Sequence, residues 1–160
     1  GWTKATCIHT PMLSGLKGQT GGRMDSFDHK MSKSDSGNAI FVHDTPKQIE
    51  SKFRKAFLEV GNPVSPVFEI AEPIVMPHKG ELSVKPKPEF GEPSTWTDME
   101  SFVAAVGSGE IHPFDAKMAV ARGLTEVLSP VVEHFERNSR RLDAVHQMTG
   151  SQYCDYSSAH

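Results

Sequence analysis

Seven of the eleven prolines in this 160-residue chain lie within residues 62–93, and they constrain its folding more than any other feature. Proline lacks a backbone N–H and has a fixed φ, so this stretch can hold neither a long helix nor a central strand. We expect two short elements inside it, a brief helix over residues 67–71 and an extended segment over 73–76. Such a stretch is typical of a junction between two domains.

The sequence of the segment before the junction predicts the end of an α/β unit. An apolar run over residues 5–8 predicts a short buried strand, and residues 39–42 predict a second strand or an extended piece. Between them, a glycine-rich loop starts at residue 14 and continues to about residue 38. Its glycines exclude regular structure there.

A helix begins immediately after these two pieces. Thr45 and Gln48 have the spacing of a capping box, and Pro46 occupies the first helical position. Ile49, Phe53 and Phe57 follow at four-residue intervals, which places them on one face. We therefore predict an amphipathic helix with this face in the core.

The segment after the junction predicts helices. Thr97 and Glu100 suggest a second capping box, and Gly107 suggests the end of that helix. Another helix is expected from His112 and Pro113 to residue 128; Pro130 then kinks or restarts it, and it continues to about residue 141. Residues 151–160 show no periodicity and predict a flexible tail.

Charge and composition exclude several classes of protein. A formal net charge of −3 argues against a general basic surface for nucleic acid, although residues 1–57 carry a local excess of positive charge. That excess suits an anionic small ligand, or in part a solvated helix face. Cys7 and Cys154 have no metal-ligand spacing and His9 has no partner, so we predict no metal site. No apolar stretch is long enough to span a membrane, so a cytoplasmic protein is expected.

The most informative peptide is Lys30, Met31, Ser32, Lys33 and Ser34, which lies in the glycine-rich loop. Two lysines three residues apart on a movable loop can stabilise the charge that develops on a leaving pyrophosphate. The alternative is a solvated lysine-rich surface loop without function.

This KMSKS peptide resembles the signature of class I aminoacyl-tRNA synthetases. Four surrounding pieces narrow the resemblance: residues 7–16, residues 38–41 with Asp44, residues 62–64, and His-Pro-Phe-Asp at 112–115 with Lys117 and residues 119–121. Their order is similar to the C-terminal portion of a tyrosyl-tRNA synthetase of the archaeal and eukaryotic type. The resemblance runs from about residue 5 to about residue 136.

The resemblance implies a fold and a division of roles. Residues 1–62 would be the end of a Rossmann-like catalytic domain, and residues 63–150 would be a mainly α-helical anticodon-binding domain. Lys30 and Lys33 would be catalytic, within an ATP-binding loop formed by Lys30, Met31, Ser32, Lys33 and Ser34. Phe90, His112 and Asp115 would recognise the anticodon, since an aromatic ring stacks on an unpaired base and a carboxylate accepts hydrogen bonds from guanine.

The family would use ATP, with Mg²⁺ as its counter-ion, to activate tyrosine and transfer it to tRNA(Tyr). The parent would be a homodimer through a half that this chain lacks, and this chain alone would be inactive. The chain departs from the family pattern in an expanded segment over residues 17–29 and in the absence of the first half of the catalytic domain.

Other interpretations remain open at the level of sequence. Phe90 could pack beneath the proline-rich stretch, Asp115 could stabilise a helix N-terminus, and His112 could be its cap. A tryptophanyl-tRNA synthetase-like fragment shares the signature loop. A third possibility is a non-catalytic module that binds tRNA.

Overall fold

In the computed structural model of this chain, residues 6–18, 30–32, 34–86, 88–89 and 91–138 are described. Five α-helical segments and one two-stranded antiparallel sheet follow one another along these residues. Their bounds are α1 Pro46–Lys55, α2 Pro66–Ile70, a π-helical turn Ala71–Val75, α3 Met76–Lys79, β1 Leu82–Val84, β2 Ser94–Trp96, α4 Met99–Ser108 and α5 Pro113–Arg137.

Helix α1 confirms the predicted capping box. The Thr45 hydroxyl accepts from the Gln48 N–H, and the Gln48 side chain accepts from the Thr45 N–H at 2.8 Å. Ile49 and Phe53 are fully buried, as the four-residue spacing predicted. Phe57 lies beyond the end of α1 and stays 40% exposed, so its predicted place on the buried face is wrong.

The proline-rich stretch is more regular than expected. Residues 66–79 form one continuous helical segment with a π-turn around Pro73, so the extended segment predicted at 73–76 is wrong. Proline cannot donate to the carbonyl four residues back, and in this helix the Met76 N–H donates to the Ala71 carbonyl instead. The strands β1 and β2, which were not predicted, pair Leu82 with Trp96.

Helices α4 and α5 differ from prediction at their ends. Asp98 caps α4 by accepting from the Ser101 N–H at 2.7 Å, one residue later than the predicted cap at Thr97. Gly109, at φ 83°, ends α4 instead of Gly107. Helix α5 begins at Pro113 as predicted and runs through Pro130 to Arg137.

Helix α5 forms the centre of the hydrophobic core. It packs against α1, the π-turn and β1, with Ala116, Ala119 and Val120 buried. Gly123 permits a close approach between α5 and Val75 of the π-turn, because a Cβ at this position would lie 2.4 Å from Val75 Cγ1. Small residues on this face thus let the π-turn pack closely on α5.

The core is shared by both predicted domains. The same buried cluster contains Leu16 and Phe53, before residue 62, and Phe68 and Phe102, after it. Phe68 and Phe102 meet edge to face, with ring centroids 6.0 Å apart. The division after residue 62 stays a prediction.

The described part of residues 6–44 contains no sheet beyond one isolated bridge between Ser14 and Lys30. The strand predicted over residues 5–8 is not formed in its described positions, where Ile8 is 88% exposed. A buried strand needs neighbours that pair with its backbone and cover its faces, and no described segment does so. Residues 39–41 are non-helical without a ladder partner, which agrees with the extended alternative.

Candidate functional site

The signature peptide is joined to an earlier part of the chain by a short antiparallel contact. Lys30 bridges Ser14, and the Met31 N–H donates to the Leu13 carbonyl at 2.9 Å. The Met31 side chain packs against the core and lies within 3.3 Å of the Ile40 nitrogen, which donates to its sulfur. Lys30 itself is exposed. Met31 is therefore fixed against the core directly before the turn that the peptide forms.

The second half of the signature peptide forms a polar turn. The Ser32 and Ser34 hydroxyls lie 2.8 Å apart, and the Asp35 N–H donates to the Ser32 carbonyl at 3.3 Å. Lys17 donates to Asp35 at 2.5 Å, and this hydrogen bond lowers the pKa of the Asp35 carboxyl. Lys33 lies outside the described residues, so its predicted role is a matter for experiment.

Several side-chain contacts connect the signature region, defined as the described residues 6–44, to the helices, and two of them involve carboxylates. The Glu69 carboxylate on α2 accepts from the Ser14 N–H at 3.0 Å. Lys52 on α1 donates to the fully buried Asp44 carboxylate at 2.6 Å. The same carboxylate oxygen accepts from the Phe41 N–H at 2.8 Å. The signature region is therefore tied to α2 at Ser14 and to α1 at Asp44, in both cases through a carboxylate.

A groove of about 1040 Å³ lies on the other side of α1. Its walls come from α1, the segment around the β1–β2 hairpin, the turn between α4 and α5, and the first four turns of α5. No described residue of the signature region lines it. The structure therefore does not bring the signature peptide and the groove together into one site.

Two of the three predicted anticodon residues line this groove. His112 and Asp115 both line it, as does Gly91, the neighbour of Phe90. Phe90 lies outside the described residues. The His112 Nδ1 atom accepts from the Phe114 N–H at 3.1 Å, and Asp115 is in the first turn of α5. The helix-capping interpretation of His112 is therefore confirmed, while recognition of an anticodon by these residues stays a prediction.

Two features of the groove were missed by sequence reasoning. The Phe114 ring is 40% exposed in the groove, and the Arg54 guanidinium lies over it, 5.5 Å from the ring centroid. Arg122 also lines the groove. It follows Asp115 by seven residues, a spacing that places two side chains on one helix face. That spacing could have found Arg122 from the sequence.

The groove has mixed charge. The carboxylates that line it belong to Glu50, Glu92, Glu110, Asp115 and Glu126. Its cations belong to Arg54, Lys85 and Arg122. Nearby on α5, partial burial lowers the pKa of Lys117. Such a surface favours local pairing of charge and hydrogen-bonding groups over general attraction of a polyanion.

The described residues include no group of three or more histidine, cysteine, aspartate or glutamate side chains that could hold a metal ion. Among the same residues, no helix has the length and apolar character needed to cross a bilayer.

A family model described as tRNA synthetases class I (W and Y) matches residues 2–129. This chain belongs to that family. The match runs through the predicted division after residue 62, so it does not separate a C-terminal portion or a helical anticodon-binding domain from the rest. The class I synthetase part of the sequence-based resemblance is thus confirmed.

The curated relatives of this synthetase-family chain include tyrosine–tRNA ligases of archaea. The protein from Picrophilus torridus is 41% identical over 135 residues, which are 81% of this chain and 39% of the relative. The protein from Thermococcus sibiricus is 35% identical over 150 residues, or 88% of this chain and 40% of the relative. The chain therefore spans about two fifths of the length of these relatives.

Solved structures give the same family likeness. The tyrosyl-tRNA synthetase of Pyrococcus horikoshii, crystallised with L-tyrosine, matches with a TM-score of 0.72 and 32% identity. The match covers 82% of this chain and 38% of that one. The tyrosyl-tRNA synthetase of Aeropyrum pernix matches with a TM-score of 0.71 and 30% identity, covering 89% and 39% of the two chains.

Proposed function

We propose that this chain is the C-terminal portion of a tyrosine–tRNA ligase, which supplies the ATP-binding signature loop and the surface that reads the anticodon of tRNA(Tyr). The observation that carries the proposal is the convergence of His112, Asp115 and Gly91 on one groove. His112 and Asp115, which one His-Pro-x-Asp motif selected, and Gly91, which follows the separately selected Phe90, border one surface with aromatic, cationic and carboxylate groups. These are the groups that read unpaired bases.

In the proposed mechanism, the two parts of the chain do different chemistry. Lys30 and Lys33 would approach the phosphates of ATP, which carries Mg²⁺ as its counter-ion, and stabilise the charge that develops on pyrophosphate as tyrosine is activated. Met31, Ser32 and Ser34 would complete the ATP-binding loop. The support from geometry is the anchored entry at Met31, which leaves Lys30 exposed.

The groove would hold the first anticodon base. Phe90 and His112 would stack on it, and the Asp115 carboxylate would accept hydrogen bonds from a guanine edge. Asp115 also stabilises the N-terminus of α5 through the helix dipole. The two roles are compatible, because a carboxylate has two oxygens and several lone pairs.

Binding of an anticodon stem-loop RNA by this 160-residue chain tests the proposal. Asp115→Asn is expected to reduce affinity about tenfold for a stem-loop with guanine at the first anticodon position, and to reduce the preference for guanine over adenine. Glu100→Gln is the matched control. Glu100 lies in the first turn of α4, where its carboxylate interacts with the helix dipole as that of Asp115 does in α5, but it does not line the groove. Unchanged affinity in Asp115→Asn would contradict the anticodon assignment.

A second test uses His112, whose cap must be preserved. His112→Asn retains a good N-cap but removes the ring that would stack on the base. We expect weaker RNA binding with an unchanged melting temperature. If the variant binds as tightly as the unsubstituted chain, His112 acts as a cap alone.

Activity would require the complete parent, which we propose is a cytoplasmic homodimer formed through segments outside this chain. We expect no ATP–pyrophosphate exchange from the 160-residue chain alone, and exchange by it would contradict this. The family description includes tryptophan enzymes, but the relatives reported above are tyrosine enzymes. Aminoacylation by the complete parent with tyrosine and with tryptophan distinguishes the two, and activity with neither would favour a non-catalytic tRNA-binding module.

A further inference from the structure

The groove has two chemically different ends along α5. His112 and Asp115 stand at the start of the helix, and Arg122 lies on the same face seven residues later. Seven residues correspond to about 10 Å along the helix axis. A ligand that touches both ends is therefore longer than one planar ring.

Two cations toward the hairpin end of the groove form no ion pair with a described residue, although the Glu92 and Glu126 carboxylates line the same groove. Arg122 donates to the Ser83 carbonyl on β1 at 3.4 Å and forms no ion pair with any described residue. Glu126, one turn further along α5, is paired with Lys79 instead. Lys85, directly after β1, also has no ion pair within the described part of the chain.

The third cation of the groove is arranged differently. Arg54 donates to Glu50 at 2.6 Å and lies over the Phe114 ring, so both its charge and its flat face are already engaged. The cations available to an anionic ligand are therefore those at the hairpin end. Both are exposed, and both border the same groove.

We propose that Arg122 and Lys85 bind the phosphate backbone of the single-stranded RNA segment whose base is read at the His112 and Asp115 end. This inference rests on the proposed function and extends it to two residues that the family resemblance did not select. The guanidinium fork of Arg122 matches the geometry of a phosphate, and Lys85 adds a point charge beside it. Base and backbone would thus be held in one groove.

The division of charge explains how an acidic protein would bind RNA at this place. Asp115 and Glu110 supply carboxylates at the end where hydrogen-bond acceptors are useful to a base edge. Of the two carboxylates nearer the hairpin, Glu126 is paired with Lys79, and Glu92 forms no ion pair with a described residue. Phosphates would lie at the hairpin end, next to two unpaired cations. An acidic peptide would use the two cations but gain nothing from an aromatic and carboxylate end, so the surface favours a nucleotide.

The experiment measures binding of the anticodon stem-loop to the full 160-residue chain at several salt concentrations, with Arg122→Gln and Lys85→Gln. A single-strand phosphate contact contributes about 0.7 to the salt slope, which corresponds to about fivefold in affinity at 0.1 M salt. Each variant is expected to lose about fivefold in affinity, equally for guanine and adenine at the first anticodon position. Lys55→Gln is the matched control, because Lys55 is exposed on α1, forms no ion pair with a described residue and does not line the groove.

The outcomes separate this inference from the proposed function. If Asp115→Asn weakens binding while Arg122→Gln and Lys85→Gln leave affinity and salt slope unchanged, the phosphate contact is wrong and the anticodon surface stands. If either substitution changes the preference between guanine and adenine instead of the salt slope, the phosphate role is also wrong. If the unsubstituted chain does not bind the stem-loop, or binds an acidic peptide and not the RNA, both proposals fail. An unchanged melting temperature in the two variants shows that any loss of binding does not result from unfolding.

Discussion

The signature region and the helical region, which is the described part of residues 45–138, are stabilised by different interactions. The signature region has one isolated bridge and a set of turn hydrogen bonds, and it contributes few residues to the core. The helical region contributes most of the buried side chains, arranged around α5. Hydrogen bonds and a few core-packed side chains, such as Leu16 and Met31, hold the first region, whereas packing over whole helix faces holds the second.

The difference matches the demands of the two proposed roles. A loop that closes over a polyphosphate has to move, and segments that move are drawn from parts with few buried contacts. A surface that reads a base needs side chains held in fixed positions by packed elements. The two carboxylate contacts at Asp44 and Glu69 connect the signature region to the packed helices.

The largest effect is expected at the buried contact between the regions. Lys52→Met leaves the fully buried Asp44 carboxylate without its cation, and removing one partner of a buried pair lowers the free energy of unfolding by about 3 kcal/mol. Denaturant unfolding measures it. Arg54→Met is the control, because the Arg54–Glu50 pair is exposed and an exposed pair contributes less than about 1 kcal/mol. Equal effects of the two substitutions would mean that the contact does not join the regions.

A second prediction concerns packing inside the helical region. Gly123→Ala puts a methyl group 2.4 Å from Val75 Cγ1, and overpacking of this kind lowers the free energy of unfolding by about 2 kcal/mol. Gly107→Ala is the control in α4, where the nearest atom is Gly61 Cα at 3.3 Å. Both substitutions give the same gain in helix propensity, so the difference between their thermal midpoints measures packing. A milder effect at Gly123 than at Gly107 would contradict the close packing of α5 on the π-turn.

A third, smaller effect separates local from global stability. Glu69→Ala removes the acceptor for the Ser14 N–H, at a cost of about 1 kcal/mol. We expect faster hydrogen exchange at the Ser14 and Met31 amides and unchanged exchange at the amides of α5. Glu72→Ala is the control, since Glu72 is exposed in the π-turn and has no hydrogen bond to a described residue. Uniformly faster exchange in both regions would show that the signature region and the helical region unfold together, which contradicts the prediction.

The smallest effect depends on pH and belongs to the cap of α4. The Ser101 N–H, which donates to Asp98, lowers the pKa of that carboxyl below 3.8. A lowered folded-state pKa stabilises the protein above the unfolded value and loses that contribution as pH falls through the folded value. Asp98→Asn keeps a good cap without a charge. The thermal midpoint of the unsubstituted chain should therefore exceed that of the variant near neutral pH, and the difference should shrink between about pH 5 and pH 2. A difference that is constant with pH would contradict the charged cap.

Local signals in the sequence predicted the helices well. The Thr45 capping box, the burial of Ile49 and Phe53, and the start of α5 at Pro113 each depend on residues within about one helical turn. The failures arose where distant residues decide the structure. The helix over residues 66–79 survives three internal or initial prolines because the π-turn changes its hydrogen bonding and Gly123 lets it pack on α5.

The candidate site was predicted only where local signals select its residues, and it was missed where residues distant in sequence come together. His112 and Asp115 were selected from a local motif, but nothing local shows that Pro46 and Arg54 of α1 border the same groove. Arg122 could have been found from its seven-residue spacing to Asp115, whereas Lys85 could not, because the β1–β2 hairpin that carries it was hidden among prolines.

The hydrogen bond that caps α5 fixes more than the start of a helix. Because the His112 Nδ1 atom accepts from the Phe114 N–H, it cannot carry the proton of a neutral imidazole. The neutral ring is therefore the Nε2–H tautomer. His112, which lines the groove, therefore carries a hydrogen-bond donor at the edge of its ring, while Asp115 one turn away carries acceptors. The start of one helix thus presents complementary hydrogen-bonding groups from two adjacent side chains.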